Sequence, residues 1–261
     1  MEFHARLEQW RSSRALNAMP TTQVFHREIC KIILDHWLDH SQPCESITLA
    51  NVLAFAQTVA HYCPSRWNAV VGVLRVITPH GKELRRRKIK LTRPPPPTQA
   101  EFSRLLSECD RLTVSRAGLV CEFLGNTGLR ISGARGVRWS DVGPEMIQYT
   151  AKGGRLCFVP ILSGLRPVLE RLRAIDDGSG FVIPRESVKR GLAKACARAG
   201  LRHLTHHDFR HMFITRCIEA GVDSPTVARW VGHGDGGALL SRRYFHLMDA
   251  HSHAMAARVR V

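Results

Sequence analysis

The chain has 261 residues, 44% of them hydrophobic, with 38 Lys and Arg against 22 Asp and Glu and a net charge of +16. That hydrophobic content excludes a disordered chain, and the length suits two ordinary domains of about 100–150 residues each. No apolar run reaches the roughly 18 residues of a membrane span, and so large an excess of positive charge, with an isoelectric point near 10.3, predicts a polyanionic partner, nucleic acid first.

The excess is shared along the chain. Residues 1–97 carry 14 Lys and Arg and 7 Asp and Glu, a net +7; the remainder carries 24 and 15, a net +9. One basic tail does not explain this, and two basic domains gripping DNA from two sides do. The first thirty residues mix Glu, Arg, His and Gln and carry no signal-peptide pattern. The eight cysteines form no C-x-x-C pair, so they are expected as reduced, mostly buried thiols of a cytosolic protein rather than as a zinc knuckle.

In chain order, residues 1–20 read as a loosely structured lead-in. From Thr22, Val24, Phe25, Ile29, Ile32, Ile33 and Trp37 recur at helical spacing. A second helical run covers Ile47 to Tyr62, with Leu49, Val52, Leu53, Ala56 and Val59 on one face. A third follows Ser65 as N-cap, with Trp67, Val70, Val71, Leu74 and Ile77. The first ~80 residues therefore read as a small all-helical domain. Next comes GKELRRRKIKLTRPPPP. Lys82, Arg85, Arg86, Arg87, Lys88, Lys90 and Arg93 are seven cations in twelve residues, expected to strap a phosphate backbone with strong salt dependence. The proline run sets a boundary: a DNA-binding helical domain over 1–92, a proline-rich linker over 93–99 and a second domain over 100–261.

The second domain restarts with a capping box, Thr98-Gln-Ala-Glu101, and a helix burying Phe102, Leu105 and Leu106. Another helix covers roughly Val114 to Leu124; Thr127-Gly128 breaks it and Arg130 opens the next. Met146–Thr150 and Leu156–Pro160 are short strands of a β-hairpin with Lys152 at its turn. Helices follow over about Ser163–Ile175, Glu186–Ala199 and His207–Ala220, the last with Phe209, Phe213, Ile214 and Ile218 inward and Gly221 at its end. Ser224-Pro225 opens another as N-cap and first residue, ending at Gly232. Ala238 to Leu247 reads as a final helix. The fold class is mainly α with one small antiparallel hairpin.

The chemistry gathers between Thr205 and Leu247. His207 and Arg210 start one helix, a Gly-His pair (Gly232, His233) follows the next, and Tyr244 stands just beyond. Cutting a phosphodiester without a metal needs cations on the non-bridging oxygens, a deprotonated nucleophile and a proton for the leaving oxygen. Singly, an arginine at a helix start, a lysine in a glycine turn or a tyrosine at helical spacing means little. In combination, the chain resembles the tyrosine recombinases of the phage-integrase family. TGLRIS resembles the first arginine box (Arg130), AKGGRLCFVPI the lysine hairpin (Lys152), HDFRH the H-x-x-R box (His207, Arg210), WVGH the second histidine box (His233) and RRYFHL the nucleophile box (Tyr244). The resemblance covers about residues 98–250; the helical N-terminal part fits a core-binding domain by position and class, and the remainder an α+β catalytic domain.

The resemblance implies roles. Arg130 and Arg210 would clamp the scissile phosphate, Tyr244 would attack phosphorus to leave a 3′-phosphotyrosyl link, Lys152 would protonate the 5′ oxygen, His207 would act as general base, and His233 would hydrogen-bond the phosphate. No cofactor, metal or ATP is implied. The implied partner is double-stranded DNA, with a homotetramer on two synapsed duplexes assembled from monomers, a tail after Tyr244 docking on a neighbouring subunit, an accessory DNA-bending protein, no membrane, and a cytoplasmic, nucleoid-associated location. Gly133 stands where the family often has an acidic residue, and ten residues separate His233 from Tyr244, more than in shorter members. Three other readings stay open: a DNA binder that has lost cleavage, a type IB topoisomerase, and a metal-dependent nuclease using His207 and His211 with His203 or His206 beside Asp208.

Overall fold

The structure is a computed structural model and describes residues 1–89, 94–112, 116–238, 240–242 and 244. The chain divides into two compact units, Met1–Arg93 and Pro94–Val261, and each has its own apolar core.

The first unit is built from α1 (Phe3–Ala15), α2 (Pro20–His36), α3 (Leu49–Thr58) and α4 (Pro64–Ile77). α1 corrects the expected loose lead-in. Phe3 and Leu7, one turn apart, are fully buried, and the Phe3 ring stacks on Trp37 at 4.1 Å. The helix is otherwise so polar that its two anchors escape a periodicity count. α2 begins at Pro20, a residue whose missing N–H costs nothing at a first helical position. It buries Ile29, Cys30 and Ile33, while Val24 and Phe25 stay exposed. The inner face of α3 is Val52, Phe55 and Ala56; Leu49 and Leu53, expected inward, face out. The N-cap position of α4 is Cys63, which makes no side-chain capping bond, and the helix starts at Pro64, so the cap lies two residues ahead of the expected Ser65.

The second unit opens with α5 (Gln99–Asp110), whose capping box forms as the sequence predicts. The Thr98 hydroxyl accepts from the Glu101 N–H (3.2 Å), and the Glu101 carboxylate accepts from the Thr98 N–H (2.8 Å). Its central element is α6 (Ala117–Thr127), buried along nearly its whole length by Val120, Cys121, Phe123 and Leu124; Val114, the start expected for this helix, lies outside the described residues. A helix apolar all round must be enclosed, and α5, α8 (Arg166–Ala174), α9 (Lys189–Arg198) and α10 (His206–Glu219) pack around it. The short α7 (Ile131–Ala134) follows α6 directly. β1 (Met146–Thr150) and β2 (Leu156–Pro160) pair antiparallel, Met146 opposite Pro160 and Thr150 opposite Leu156. Their alternation turns Ile147, Tyr149, Cys157 and Val159 inward and leaves Met146, Leu156 and Phe158 exposed.

α11 (Ser224–Trp230) packs on β2. Its cap is Asp223, whose carboxylate accepts from the Thr226 N–H at 2.8 Å, so the chain places the cap one residue before the expected Ser224. Ala238, Leu240–Arg242 and Tyr244 are helical, and the rest of the expected last helix and the tail lie outside the described residues. All eight cysteines are free, and only Cys63 is exposed. No helix among the described residues is long and apolar enough to cross a membrane.

Candidate active site

The site of the second unit is assembled from three breaks in regular structure and one helix. The first break is Gly128, which ends α6 at φ +64°. A Cβ there would lie 2.4 Å from Phe213 and 2.9 Å from Val231, so both the conformation and the space require glycine. The turn aims the Gly128 carbonyl at Arg210, whose Nη1 donates to it at 2.7 Å. It also delivers Arg130 to the N-cap of α7.

The second break is Gly232, after α11, at φ +66°. Its carbonyl accepts from Arg130 Nη1 at 3.3 Å, and the next residue is His233. The third is the hairpin turn, where Gly153 and Gly154 both take positive φ and the Ala151 N–H donates to the Arg155 carbonyl at 2.7 Å. Lys152 sits exposed at this turn. The hairpin and the Gly232 turn are locked together by two contacts. The Tyr149 hydroxyl donates to the Trp230 carbonyl (2.8 Å), and Arg155 Nη2 donates to the His233 carbonyl (2.8 Å).

The helix is α10. Phe209, Phe213 and Ile214 bury one side and fix its rotation. Its first turn is held by Asp208, which accepts from the Thr205 N–H and from Arg202 Nη2, both at 2.7 Å. Burial raises the Asp208 carboxyl, and these hydrogen bonds outweigh it, leaving the group below the usual carboxylate range. Arg210 is 5% exposed. Burial, then the charge of Arg130, pulls its pKa down to about 10. Among the described residues, nothing accepts a hydrogen bond from its buried Nη2. Two guanidinium groups held within each other's field, one with an unspent buried donor, favour an anion that can bridge them. Burial and the charges of Arg210 and Arg130 also push His233 down to about 4, so its imidazole is neutral near pH 7.

Tyr244 is 6% exposed, and its hydroxyl lies 2.6 Å from Nδ1 of His211. Its charged form would stabilise Arg210, which places the phenol in the same field. The general base expected from the resemblance, His207, is exposed at the start of α10; His211, one turn further on, meets the phenol. His211 enters the sequence reading only as a metal-ligand alternative. Among the described residues no group of three or more His, Cys, Asp or Glu is placed to share a metal ion. Tyr149 and Arg155 were also missed. The alternation of β1 marks Tyr149 as buried, but its hydroxyl acts 81 residues away, which no local pattern announces. Gly133, where the family often has an acid, has room only at van der Waals distance, with an added Cβ 3.4 Å from the Tyr149 ring.

The basic strap belongs to the first unit and differs from a row of free cations. The Arg87 guanidinium stacks on the Trp67 ring at 4.0 Å and donates to the carbonyls of Ala60 (2.8 Å) and Tyr62 (3.0 Å). Asn68 pairs with the Arg87 backbone in both directions, and Trp67 Nε1 donates to the Arg85 carbonyl. Residues 85–87 are thus pinned along α4, with Lys82, Arg85, Arg86 and Lys88 exposed. Lys90 and Arg93 lie outside the described residues.

This chain belongs to the phage integrase family: the family's model matches residues 98–251. It is similar to the tyrosine recombinase XerD of Corynebacterium glutamicum, 35% identical over 129 residues that make up 43% of this chain and 42% of that protein. The chain matches about half the length of its first curated relatives, between 42% and 54%. In fold it is similar to a lambda integrase dimer bound to a COC′ core site, with a TM-score of 0.78 at 18% identity, covering 94% of this chain and 77% of that one. A lambda integrase tetramer bound to a Holliday junction gives 0.75 at 17%, covering 91% and 79%.

Proposed function

We propose that the protein is a site-specific DNA recombinase of a mobile element, cutting and rejoining double-stranded DNA through a 3′-phosphotyrosyl intermediate without metal or ATP. The observation that carries the reading is the set on α10 and around it: a buried Arg210 with an unspent donor, Arg130 in its field, and a phenol hydrogen-bonded to an imidazole.

In this reaction Arg130 and Arg210 hold the non-bridging oxygens of the scissile phosphate, where negative charge builds up in the transition state. The Tyr244 oxygen attacks phosphorus and gives up its proton. The bond from phosphorus to the 5′ oxygen breaks, and that oxygen takes a proton from Lys152 at the hairpin turn. Neutral His233 hydrogen-bonds the phosphate without adding charge to an already cationic site. Attack by a second strand's 5′ hydroxyl on the phosphotyrosine reverses the steps, so bond energy is retained and no nucleotide is consumed. DNA bound to similar folds, and a tetramer on a Holliday junction in one of them, support double-stranded DNA as the partner and four protomers at synapsis. The helical first unit, with its exposed cations, serves as the second grip on the duplex.

The test uses a nicked duplex carrying the end sequence of the element that encodes the protein, incubated in EDTA and read on a denaturing gel. The expected result is a protein–DNA adduct that Tyr244→Phe abolishes. Salt-sensitive binding with no adduct would support the reading of a binder that no longer cuts, and an adduct lost in EDTA would support a metal-dependent reaction.

A further inference from the structure

We propose that His211 is a catalytic base of the tyrosine: its Nδ1 accepts the Tyr244 phenol proton during attack. The proposal rests on the recombinase reading above and assigns one role within it. His207 and His211 are four residues apart on α10 and share a face of that helix. The first is exposed; the second is half-buried one turn deeper, beside the buried Arg210. A base takes a proton directly when its acceptor atom lies about 2.6–3.2 Å from the atom that carries the proton, and His211 Nδ1 lies 2.6 Å from the Tyr244 oxygen.

The relative tilt of the two rings fits this use. Their centroids are 6.4 Å apart and their planes cross at 45°, so the contact is edge to hydroxyl and not a stack. With the imidazole in its Nε2–H form, the Nδ1 lone pair accepts from the phenol. α10 gives this base a rigid mount, because Phe209, Met212 and Phe213 on either side of it are all buried. The step balances simply. The O–H bond of Tyr244 breaks and its proton joins Nδ1; the oxygen's electron pair forms the new bond to phosphorus; the 5′ oxygen departs with the electron pair of the broken bond and is protonated separately. In resealing, the same imidazolium returns the proton to the phenolate as it leaves phosphorus.

The experiment follows adduct formation on the nicked duplex in single turnover, for the parent chain and for His211→Ala, His211→Asn and His207→Ala. Each is also made with 3,5-difluorotyrosine at position 244, a more acidic phenol that needs less help to ionise. Thermal unfolding and duplex affinity are measured alongside. Loss of a general base is expected to slow His211→Ala by about 10²-fold at unchanged duplex affinity. His211→Asn, which keeps a polar atom near the Nδ1 position but cannot take the proton, is expected to fold and to be comparably slow. The fluorinated phenol is expected to restore both to within a few-fold of the fluorinated parent. Should His211→Ala fail to fold, the Asn variant decides. Parent-like rates in His211→Asn, or slow rates that fluorination leaves untouched, would overturn the proposal, as would fluorine rescue of His207→Ala in place of the His211 variants. No adduct from the parent chain would instead overturn the recombinase reading, and this role with it.

Discussion

At the scale of single residues, the site depends on arginine for more than charge. Arg210 spends one Nη on the Gly128 carbonyl and holds the other unspent. Lysine carries the charge but offers no planar fork, so it cannot serve the carbonyl and a phosphate together. Arg210→Lys is therefore expected to slow adduct formation by about 10²–10³-fold, the usual cost of one transition-state donor, in single-turnover assays. Gly232 is equally specific. At φ +66°, an added Cβ would stand 2.8 Å from the Tyr149 hydroxyl and 2.9 Å from Ala151. Gly232→Ala is expected to lose about 1–2 kcal/mol or more in urea unfolding, from the left-handed backbone alone. It would also break the lock between hairpin and His233 turn. His233 gives a pH signature. Its folded pKa, about 4, lies below the ordinary 6.5, so between these values the unfolded chain takes up a proton that the folded chain refuses. Stability should fall as pH drops from 6.5 to 4, and His233→Gln should flatten that part of the curve of melting temperature against pH.

At the scale of elements, sequence chemistry was legible where one short segment carries its own reason. The Thr98 capping box, the glycine that ends α6 and the hairpin around Lys152 are all local, and each forms as its residues dictate. Thr98→Ala should cost about 1 kcal/mol in the midpoint of chemical unfolding, because it strips one side of that box. Of the six residues drawn from the family's boxes, four come together here, while Lys152 and His207 are exposed. Arg130, Arg210 and His233 share one electrostatic field, and Tyr244 acts on Arg210. What the sequence hid was every relation between distant segments. His211 meets a phenol 33 residues on, Tyr149 reaches a carbonyl 81 residues on, and Arg155 one 78 residues on. α1 was hidden for a different reason: two deep anchors, Phe3 and Leu7, hold a helix whose other residues are mostly polar. The cap of α11 shows a third kind of miss. Asp223 and Ser224 are both good caps, and only backbone geometry chooses between them.

At the scale of the whole molecule, the charge of +16 is spread over two units that each close their own core. Duplex affinity should therefore fall steeply with salt, with a slope of log affinity against log salt near −0.9 for each phosphate neutralised. Removing a cation that faces solvent, as in Arg86→Ala, should reduce that slope by about one if it meets a phosphate. Arg87→Ala should act differently. Its guanidinium is committed to Trp67 and to two carbonyls, so the change should lower the stability of the first unit in a melt before it alters the salt slope.

The hairpin sets a practical limit on how such a protein can be handled. Among the described residues its sheet has two strands, so both are edges, and Met146, Leu156 and Phe158 lie open on its outer face. Concentrated salt screens the cationic surface from any polyanion, but excluded salts such as sulfate strengthen the attraction between exposed apolar faces. Sulfate used to weaken the hold on a polyanion would thus also drive molecules of this chain together, and chloride, which screens without that effect, is the better choice for keeping it dispersed.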